Sequence, residues 1–264
     1  MDKALERFAA DLRRQVREVL GDGQLRTRVE TKADGSLITA ADRLLQARIG
    51  DWLADQYPGA ALLAEEQSRE RNQALIDAAP SQLWVLDPLD GTTNLASGIP
   101  YTAVSLALVE DGEAVLGVVY DPDRDEIFCA RRGAGAYCNG ERLPPPGAGR
   151  SLGDCVALVD FKRLDGRLAA ALASRHPFRS QRNFGSVALD WCWLAMGRGQ
   201  LYLHGRAKLW DYVAGWLIAG EAGIASQTLE GEDVFRFSLA GRSAVAAANP
   251  SLLADWRDWI REAL

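Results

Sequence analysis

Hydrophobic positions near the N-terminus repeat at the spacing of amphipathic helices. Apolar side chains at three- and four-residue intervals predict a first helix that ends at Gly21. A second helix is predicted to begin near Thr39 or Ala40 and to stop at the turn Tyr57-Pro58-Gly59. The spacing therefore predicts two helices before the first strand of the chain.

The pattern then changes to short apolar runs, which are typical of buried strands. One run, 61–64, ends in Glu65-Glu66, and another, 83–86, ends in Asp87. Acidic residues are therefore expected at the C-terminal ends of two buried strands. Three more strands are predicted at 102–109, 114–120 and 126–130, joined by turns at 111–112 and 121–122.

The sequence Pro144-Pro145-Pro146-Gly147 is the strongest break in the chain. Before it, the pattern predicts helices and mostly hairpin-linked strands, and after it strands and helices alternate. The second half is predicted to contain strands at 155–159, 200–203 and 243–248 and helices at 186–196, 211–221 and 250–263. We therefore expect an α/β (α+β) chain, 1–264, that folds as one layered domain with an N-terminal lobe, 1–143, and a C-terminal lobe, 151–264.

Composition and charge narrow the class of protein. Of the 264 residues, 48% are hydrophobic and 25% are charged, as in ordinary globular proteins. The net charge of −6 argues against a general nucleic-acid binder. No apolar run approaches the ~20 residues of a membrane span, and the N-terminus lacks the apolar core of a secretory signal. We therefore expect a cytoplasmic protein without a nucleic-acid or membrane partner.

Cysteine and histidine usage limits the available chemistry. The chain has four cysteines, Cys129, Cys138, Cys155 and Cys192. They show neither a CxxC pair nor zinc spacing, so we expect free thiols in the core, as in a reducing cytosol. The two histidines, His176 and His204, are too few for a multi-histidine metal site.

The segment 84–94, with the sequence WVLDPLDGTTN, carries the most informative set of polar residues. Its strand delivers Asp87 to a C-terminal edge, where open α/β folds bind ligands. Pro88 stiffens the turn that follows, because its ring fixes one backbone angle and restricts the preceding residue. Asp90 lies three residues after Asp87, so we expect both carboxylates to face one point.

The residues around Asp90 predict a site for an anion and a cation. Gly91, Thr92 and Thr93 would present free backbone N–H groups at a helix start, where anions bind. Two carboxylates would repel that anion unless a cation neutralises them. Mg²⁺ fits, since it binds carboxylate and carbonyl oxygens, such as that of Leu89, and keeps phosphate or water oxygens as ligands. An ordinary Asp-Pro turn with a helix cap is the alternative interpretation of Asp-Pro-x-Asp alone.

Two further acids are candidates for the same site. Glu65 follows a neighbouring buried strand, although a pair of glutamates there is also typical of a solvated edge. Asp211 begins an apolar helix, where a carboxylate can cap the helix and bind a cation at the same time. Glu65 or Asp211 alone is weak evidence for a cation site. Together with Asp87 and Asp90, both become candidate ligands.

Together these motifs resemble those of the inositol monophosphatase family of Mg²⁺-dependent, lithium-sensitive phosphatases. The matching segments are 64–66, 87–94, 210–215, an upstream motif at 32–42, and Gly185-Ser186 at a helix start. The resemblance implies a layered α-β-α-β-α sandwich and a homodimer. It also implies hydrolysis of a small phosphate monoester, such as inositol 1-phosphate or a sugar phosphate, with two or three Mg²⁺ ions that activate water.

The resemblance further implies roles for individual residues. One Mg²⁺ would bind Glu65, Asp87 and the Leu89 carbonyl, and a second would bind Asp87, Asp90 and Asp211. The implied catalytic residues, which orient the attacking water, are Glu65, Thr92 and the supporting Asp42. The backbone groups implied to hold the phosphate are those of Gly91, Thr92 and Thr93.

The sequence departs from the family on the substrate side. Inositol phosphatases typically carry a glutamate about seven residues before the Trp-Asp aspartate, and here that position is His204, close to Arg206 and Lys208. The two cations would suit a second phosphate, and an imidazole can stack on a base. A solvated loop is the alternative. The candidate substrate contacts are Gly185, Ser186, His204 and Arg206.

Other functions stay open on the sequence alone. A 3′(2′),5′-bisphosphate nucleotidase and a fructose-1,6-bisphosphatase are the enzymatic alternatives, and a non-catalytic regulatory protein that keeps the fold is a third class. Arg179 and Arg182 are interpreted as a solvated basic stretch or a second-phosphate site. Asp190, within an apolar helix, is interpreted as a capped or exposed residue, with a substrate contact as the alternative.

Overall fold

A computed structural model describes residues 1–21, 29–31, 37–147 and 149–264. Residues 32–36 of the upstream motif therefore lie outside the described residues, whereas Thr39 and Asp42 lie within them. None of the helices in these ranges is long and apolar enough to cross a membrane. The cytoplasmic location stays a prediction.

Helices and strands are spread over the whole chain. The described residues form the helices α1 (Lys3–Leu20), α2 (Ala40–Gln56), α3 (Arg69–Ala78), α4 (Thr92–Ala96), α5 (Gly166–Arg175), α6 (Val187–Ala195), α7 (Leu209–Ala222) and α8 (Pro250–Ala263). The strands of the first half are β1 (Val29–Thr31), β2 (Leu37–Thr39), β3 (Ala61–Ala64), β4 (Gln82–Asp90), β5 (Ala103–Glu110), β6 (Glu113–Asp121), β7 (Glu126–Arg131), β8 (Ala136–Cys138) and β9 (Glu141–Arg142). Those of the second half are β10 (Val156–Asp160), β11 (Ser180–Arg182), β12 (Leu201–Ala207), β13 (Ala225–Gln227) and β14 (Arg242–Ala247).

Two mixed sheets organise these elements. Strands β3 to β9 form a seven-stranded sheet in sequential order, in which β3 and β4 are parallel and the others antiparallel. The second sheet has the order β11-β10-β12-β14-β13, with β11, β10 and β12 parallel. Strands β1 and β2 form a separate antiparallel pair.

Three apolar cores stack the helices and sheets into five layers. Helices α1 and α2 cover one face of the seven-stranded sheet. Helices α6 and α7 fill the space between the two sheets, and α5 and α8 cover the outer face of the five-stranded sheet. The α-β-α-β-α sandwich expected from the resemblance is therefore confirmed.

The apolar pattern of each element follows from its place in these layers. In β4, Leu83 and Val85 face the middle helical layer, whereas Trp84 and Leu86 face α1 and α2, because strand side chains alternate between faces. Helix α7 is apolar on nearly every side, since it packs between two sheets.

The predicted elements are present, with shifted ends, and several others were missed. Helix α3 escaped prediction because its sequence is mostly polar, with Asn72 its one buried residue. Helix α5 was also missed. The short strands β1, β2, β8, β9, β11 and β13 were missed because a strand of two or three residues has no periodicity to detect, so two strands precede the second helix against expectation. All four cysteines are buried and free, as expected. The segment 144–147 joins the two sheets, and the division into two lobes stays a prediction.

Candidate active site

A β-bulge in β4 brings Asp87 and Asp90 to the same face of the sheet. Asp87 pairs with Ser105 and Asp90 with Ala103, so three steps along β4 correspond to two along β5. The additional residue reverses the alternation of side chains. Leu89 consequently points into the core beneath α1 and α2, while both carboxylates face the middle layer. The sequence predicted that the two carboxylates face one point across a turn after the strand. The structure achieves the same result with a bulge inside the strand.

Two other elements bring Glu65 and Asp211 to the same place. Glu65 directly follows β3, and its N–H continues the parallel ladder by donating to the Leu86 carbonyl. Asp211 is the third residue of α7, which begins two residues earlier than predicted, and its carboxylate accepts the Lys208 N–H at 2.8 Å. Asp211 therefore stabilises the helix start through one oxygen while lining the same cavity as the other acids.

The four carboxylates repel one another in a buried setting. Burial raises the pKa of Asp87 well above its usual value, and the charges of Glu65, Asp90 and Asp211 raise it further. Burial also raises the pKa of Asp90 to about 7, against the hydrogen bonds from the Ala188 N–H and the Ser186 hydroxyl, which lower it. The pKa of Asp211 is raised by burial and by its acidic neighbours in the same way.

This cluster of acids suits a hard divalent cation. Within the described residues, no three acidic, histidine or cysteine side chains already stand close enough to hold one ion. The carboxylate oxygens and the Leu89 carbonyl are the ligand types that Mg²⁺ prefers, and a cation would relieve the repulsion that raises the pKa values of Asp87, Asp90 and Asp211. The chemistry of the donor set thus fits Mg²⁺.

Thr92 is tied to Asp42 at the edge of this cluster. The Thr92 hydroxyl lies 3.3 Å from Asp42 Oδ1 and 3.1 Å from the Leu89 carbonyl, either of which can accept its proton. The other carboxylate oxygen of Asp42 accepts from the hydroxyl and the N–H of Thr39, the N-cap of α2. Burial raises the pKa of Asp42, opposed by the Thr39 hydrogen bonds. Thr93 is exposed and does not line the cavity.

Gly91 connects the bulge to the short helix α4. Its φ is +91°, and a Cβ there would stand 2.9 Å from the Tyr101 carbonyl oxygen. Glycine is therefore required by both backbone conformation and space. Ser186, the N-cap of α6, is buried, and its hydroxyl donates to Asp90 Oδ2 at 2.8 Å. The neighbouring Gly185 is exposed at the cavity wall.

One cavity of about 300 Å³ is shared by the acids and a set of cations. Of the candidate site residues, it is lined by Glu65, Asp87, Leu89, Asp90, Gly91, Thr92, Gly185, Ser186, His204, Arg206 and Asp211. The cationic residues Lys162, Arg163, Arg206 and Lys208, all exposed, line the same cavity. Arg179 and Arg182 are exposed away from this lining, and Arg179 pairs with Asp154.

His204 lies on β12 and is only 4% exposed, so its interpretation as part of a solvated loop is wrong. Its Nδ1 accepts the Arg206 N–H at 3.2 Å, which leaves the ring proton on Nε2, 3.5 Å from Asp160 Oδ2. Burial raises the pKa of Asp160, but the hydrogen bond from His204 and the charge of Lys162 oppose burial, and the pKa lies below its usual value.

Sequence reasoning missed four polar residues of the cavity, Asp160, Lys162, Arg163 and Asn183. The interpretation of Asp190 as capped or exposed is wrong, since it is 6% exposed and accepts the Tyr101 hydroxyl at 3.0 Å. Burial raises its pKa well above the usual value. Asp160 ends a predicted strand next to the strand of His204, and that placement was the available signal.

A model of the inositol monophosphatase family matches residues 1–260 of the chain. The chain belongs to the inositol monophosphatase family. It is 31% identical over 230 residues to the inositol-1-monophosphatase of Bacillus subtilis, covering 85% of this chain and 83% of that protein. It is 34% identical over 206 residues to the fructose-1,6-bisphosphatase/inositol-1-monophosphatase of Thermotoga maritima, covering 76% and 75%.

Other relatives of this phosphatase carry a different kind of name. The Nus factor SuhB of Escherichia coli is 33% identical over 258 residues, covering 88% of this chain and 87% of that protein.

Among solved structures, an IMPase/NADP phosphatase complexed with Mg²⁺ and phosphate superimposes with a TM-score of 0.85 at 25% identity, covering 98% of this chain and 95% of that one. Family membership makes the chain a phosphoric monoester hydrolase.

Proposed function

We propose that this phosphatase hydrolyses a small phosphate monoester, of the inositol 1-phosphate or sugar phosphate type, in a Mg²⁺-dependent reaction. The observation that carries the proposal is the convergence of four acids from three elements on one cavity that four cationic residues also line. A cavity that carries both negative and positive charge suits a phosphate ester that is bridged to the protein by a cation. The solved relative with Mg²⁺ and phosphate supports this choice.

The ligands proposed for Mg²⁺ are Glu65, Asp87, Asp90, Asp211 and the carbonyl of Leu89, which together suit two or three ions. When bound, Mg²⁺ supplies the positive charge that activates water and neutralises the phosphate oxygens. The hydrogen bonds of Ser186 and Ala188 to Asp90 hold that carboxylate in place. Those residues therefore orient the ligand before any ion arrives.

Thr92 is proposed to orient the attacking water together with Glu65. The Thr92 hydroxyl donates its hydrogen bond to Asp42 or to the Leu89 carbonyl, so its oxygen is free to accept a hydrogen bond from the water. Glu65 can then take the other proton of that water as a general base, which leaves a hydroxide to attack the phosphate. The N–H groups of Gly91, Thr92 and Thr93, at the start of α4, are proposed to hold the phosphate, although the exposed Thr93 side chain takes no part.

The cations Lys162, Arg163, Arg206 and Lys208 favour a substrate with a second anionic group. Of the two such alternatives, fructose 1,6-bisphosphate suits the cavity better than adenosine 3′,5′-bisphosphate. His204 was the proposed stacking partner of a base, and its buried ring leaves little surface for stacking. The Thermotoga relative is named for both a bisphosphatase and a monophosphatase activity.

The test is phosphate release from three esters with Mg²⁺, namely inositol 1-phosphate, fructose 1,6-bisphosphate and adenosine 3′,5′-bisphosphate. We expect the wild-type enzyme to hydrolyse the polyol esters. The Asp90→Asn variant should fold but lose several kcal/mol of transition-state stabilisation, which lowers the rate at least about 100-fold. Asp51→Asn, an exposed change on α2, is the control. Absence of release from every ester at saturating Mg²⁺ would instead favour the non-catalytic regulatory class.

The homodimer and the cytoplasmic location remain part of the proposal. Gel filtration with light scattering would measure the mass of the purified chain, for which we expect about twice the 28.7 kDa of one copy.

A further inference from the structure

Asp160 lines the cavity together with the cationic residues. The proposed reaction assigns no role to its carboxylate. Asp160 ends β10, and its side chain is 13% exposed. Leu158, two residues earlier, packs in the middle layer, so Asp160 faces that layer and the cavity at its edge. The neighbouring strand β12 pairs His204 directly with Asp160.

Three contacts hold Asp160 in place. His204 Nε2 lies 3.5 Å from Oδ2, and Oδ1 accepts from the Lys162 N–H at 3.2 Å and from Asn183 Nδ2 at 3.3 Å. Gly205 permits this arrangement, since a Cβ there would stand 1.8 Å from the Arg163 carbonyl oxygen. The segment after Asp160 thus lies directly against β12.

The imidazole of His204 has no nitrogen left for a ligand. Its Nδ1 accepts the Arg206 N–H, and its Nε2 faces Asp160. His204 therefore orients the carboxylate rather than contacting the substrate. Asp160 keeps about one unused acceptor site, because a carboxylate offers about four such sites and three are occupied.

The surroundings of Asp160 decide which donor it accepts. Lys162, Arg163, Arg206 and Lys208 line the same cavity, and they repel a cationic group on a ligand. A neutral O–H donor has no such penalty. A hydroxyl beside the phosphate of a polyol ester is the neutral donor that this substrate class supplies.

We propose that Asp160, oriented by His204 and Asn183, is a specificity-determining residue that accepts a hydrogen bond from a hydroxyl of the substrate's leaving group. This inference rests on the proposed function, since it assigns a contact within the same reaction. It makes the enzyme selective for polyhydroxylated phosphate esters over esters that lack hydroxyls. His204 is a positioning residue in this scheme.

The experiment compares kcat/KM for a polyol ester with kcat/KM for p-nitrophenyl phosphate, which has no hydroxyl on its leaving group. The polyol ester is whichever of inositol 1-phosphate and fructose 1,6-bisphosphate the wild-type enzyme hydrolyses faster. We expect Asp160→Asn to lower the polyol value about 10-fold or more relative to the p-nitrophenyl value, because a hydrogen bond to a charged acceptor is lost. Asn keeps an oxygen for the Lys162 N–H, so the fold is retained.

Two further variants separate this contact from a structural effect. Asp165→Asn, an exposed N-cap five residues later, should leave the ratio unchanged, because Asn caps helices as well as Asp does. The double variant Asp160→Asn with His204→Glu returns a carboxylate to the same face of the sheet, and we expect it to recover selectivity.

The outcomes distinguish this inference from the proposed function. An Asp160→Asn enzyme with the wild-type ratio would overturn the role of Asp160 while the phosphatase assignment stands. The role of Asp160 would also be overturned by a wild-type enzyme that cleaves p-nitrophenyl phosphate but neither polyol ester. The same holds if the double variant does not recover the selectivity ratio. No phosphate release from any ester would overturn the proposed function and this inference together.

Discussion

The two walls of the cavity are built in different ways. The acidic wall consists of Glu65, Asp87, Asp90 and Asp211, of which Asp87 is 1% exposed, and it rests on the seven-stranded sheet and the first turn of α7. The cationic wall belongs to the edge of the five-stranded sheet and to the segments that follow its strands, and its lysines and arginines are exposed.

The difference separates the reaction from the choice of substrate. A strand ladder, a bulge and a close glycine contact fix the acids to backbone that cannot move without disrupting a core. The cations are long side chains in solvent, where substitution costs little stability. We therefore expect changes in the acidic wall to affect every substrate, and changes in the cationic wall to affect some substrates more than others.

The largest expected effect is that of Asp211→Asn. The amide oxygen can still accept the Lys208 N–H, so α7 should keep its first turn. The lost charge removes a proposed Mg²⁺ ligand, and we expect kcat/KM to fall about 100-fold or more for every phosphate ester. Steady-state kinetics on the three esters would measure it. A loss confined to one ester would contradict the separation of the two walls.

The next effect is the response of stability to Mg²⁺ and pH. The raised pKa of Asp90 means that the folded protein holds a proton between the usual value of 3.8 and about 7, where the unfolded chain has lost it. This contribution to stability is present at low pH and is lost as pH rises through about 7. The metal-free protein should therefore have a higher Tm near about pH 6 than near about pH 8.

Mg²⁺ should reverse this loss at the higher pH. A cation present at about 100 times its Kd stabilises the folded state by about 2.7 kcal/mol, or several degrees in Tm. Thermal unfolding with EDTA and with Mg²⁺, at both pH values, would measure the two effects. A Tm that responds to neither pH nor Mg²⁺ would show that the acidic wall does not act as a cation site.

A smaller effect is expected for Gly91→Ala. The new Cβ meets the Tyr101 carbonyl oxygen at 2.9 Å on a backbone with φ of +91°, which should cost about 1–3 kcal/mol of unfolding free energy. Chemical denaturation would measure the loss. Gly98→Ala is a matched control, because Gly98 also has a positive φ but nothing lies within 4 Å of its Cβ position. Equal losses would show that the contact with Tyr101 is unimportant.

The smallest effect is expected for Arg206→Ala. An exposed cation contributes little to binding and is screened by salt, so we expect kcat/KM for fructose 1,6-bisphosphate to fall about 2- to 5-fold at low ionic strength. The value for p-nitrophenyl phosphate should fall less. Kinetics at two salt concentrations would test this. A larger loss for the hydroxyl-free ester would reverse the role assigned to the cationic wall.

Prediction from sequence succeeded where residues close together in the chain carry the chemistry. The segment 84–94 contains two carboxylates, a proline and a glycine within a few residues. A cation site can therefore be predicted there without knowledge of distant contacts. Prediction failed for Asp160 and Asp190, because each becomes part of the cavity only through partners about 45 and 90 residues away, His204 and Tyr101.

The sequence alone determined the order of most helices and of the longer strands, the four acids and their family resemblance, because periodicity and local motifs depend on neighbouring residues. The tertiary structure alone decided that a bulge turns Asp90 to the side of Asp87 and that His204 is buried against Asp160. Those features depend on strand register and on the packing of two sheets around α6 and α7, and pairing between distant segments leaves no pattern within either segment.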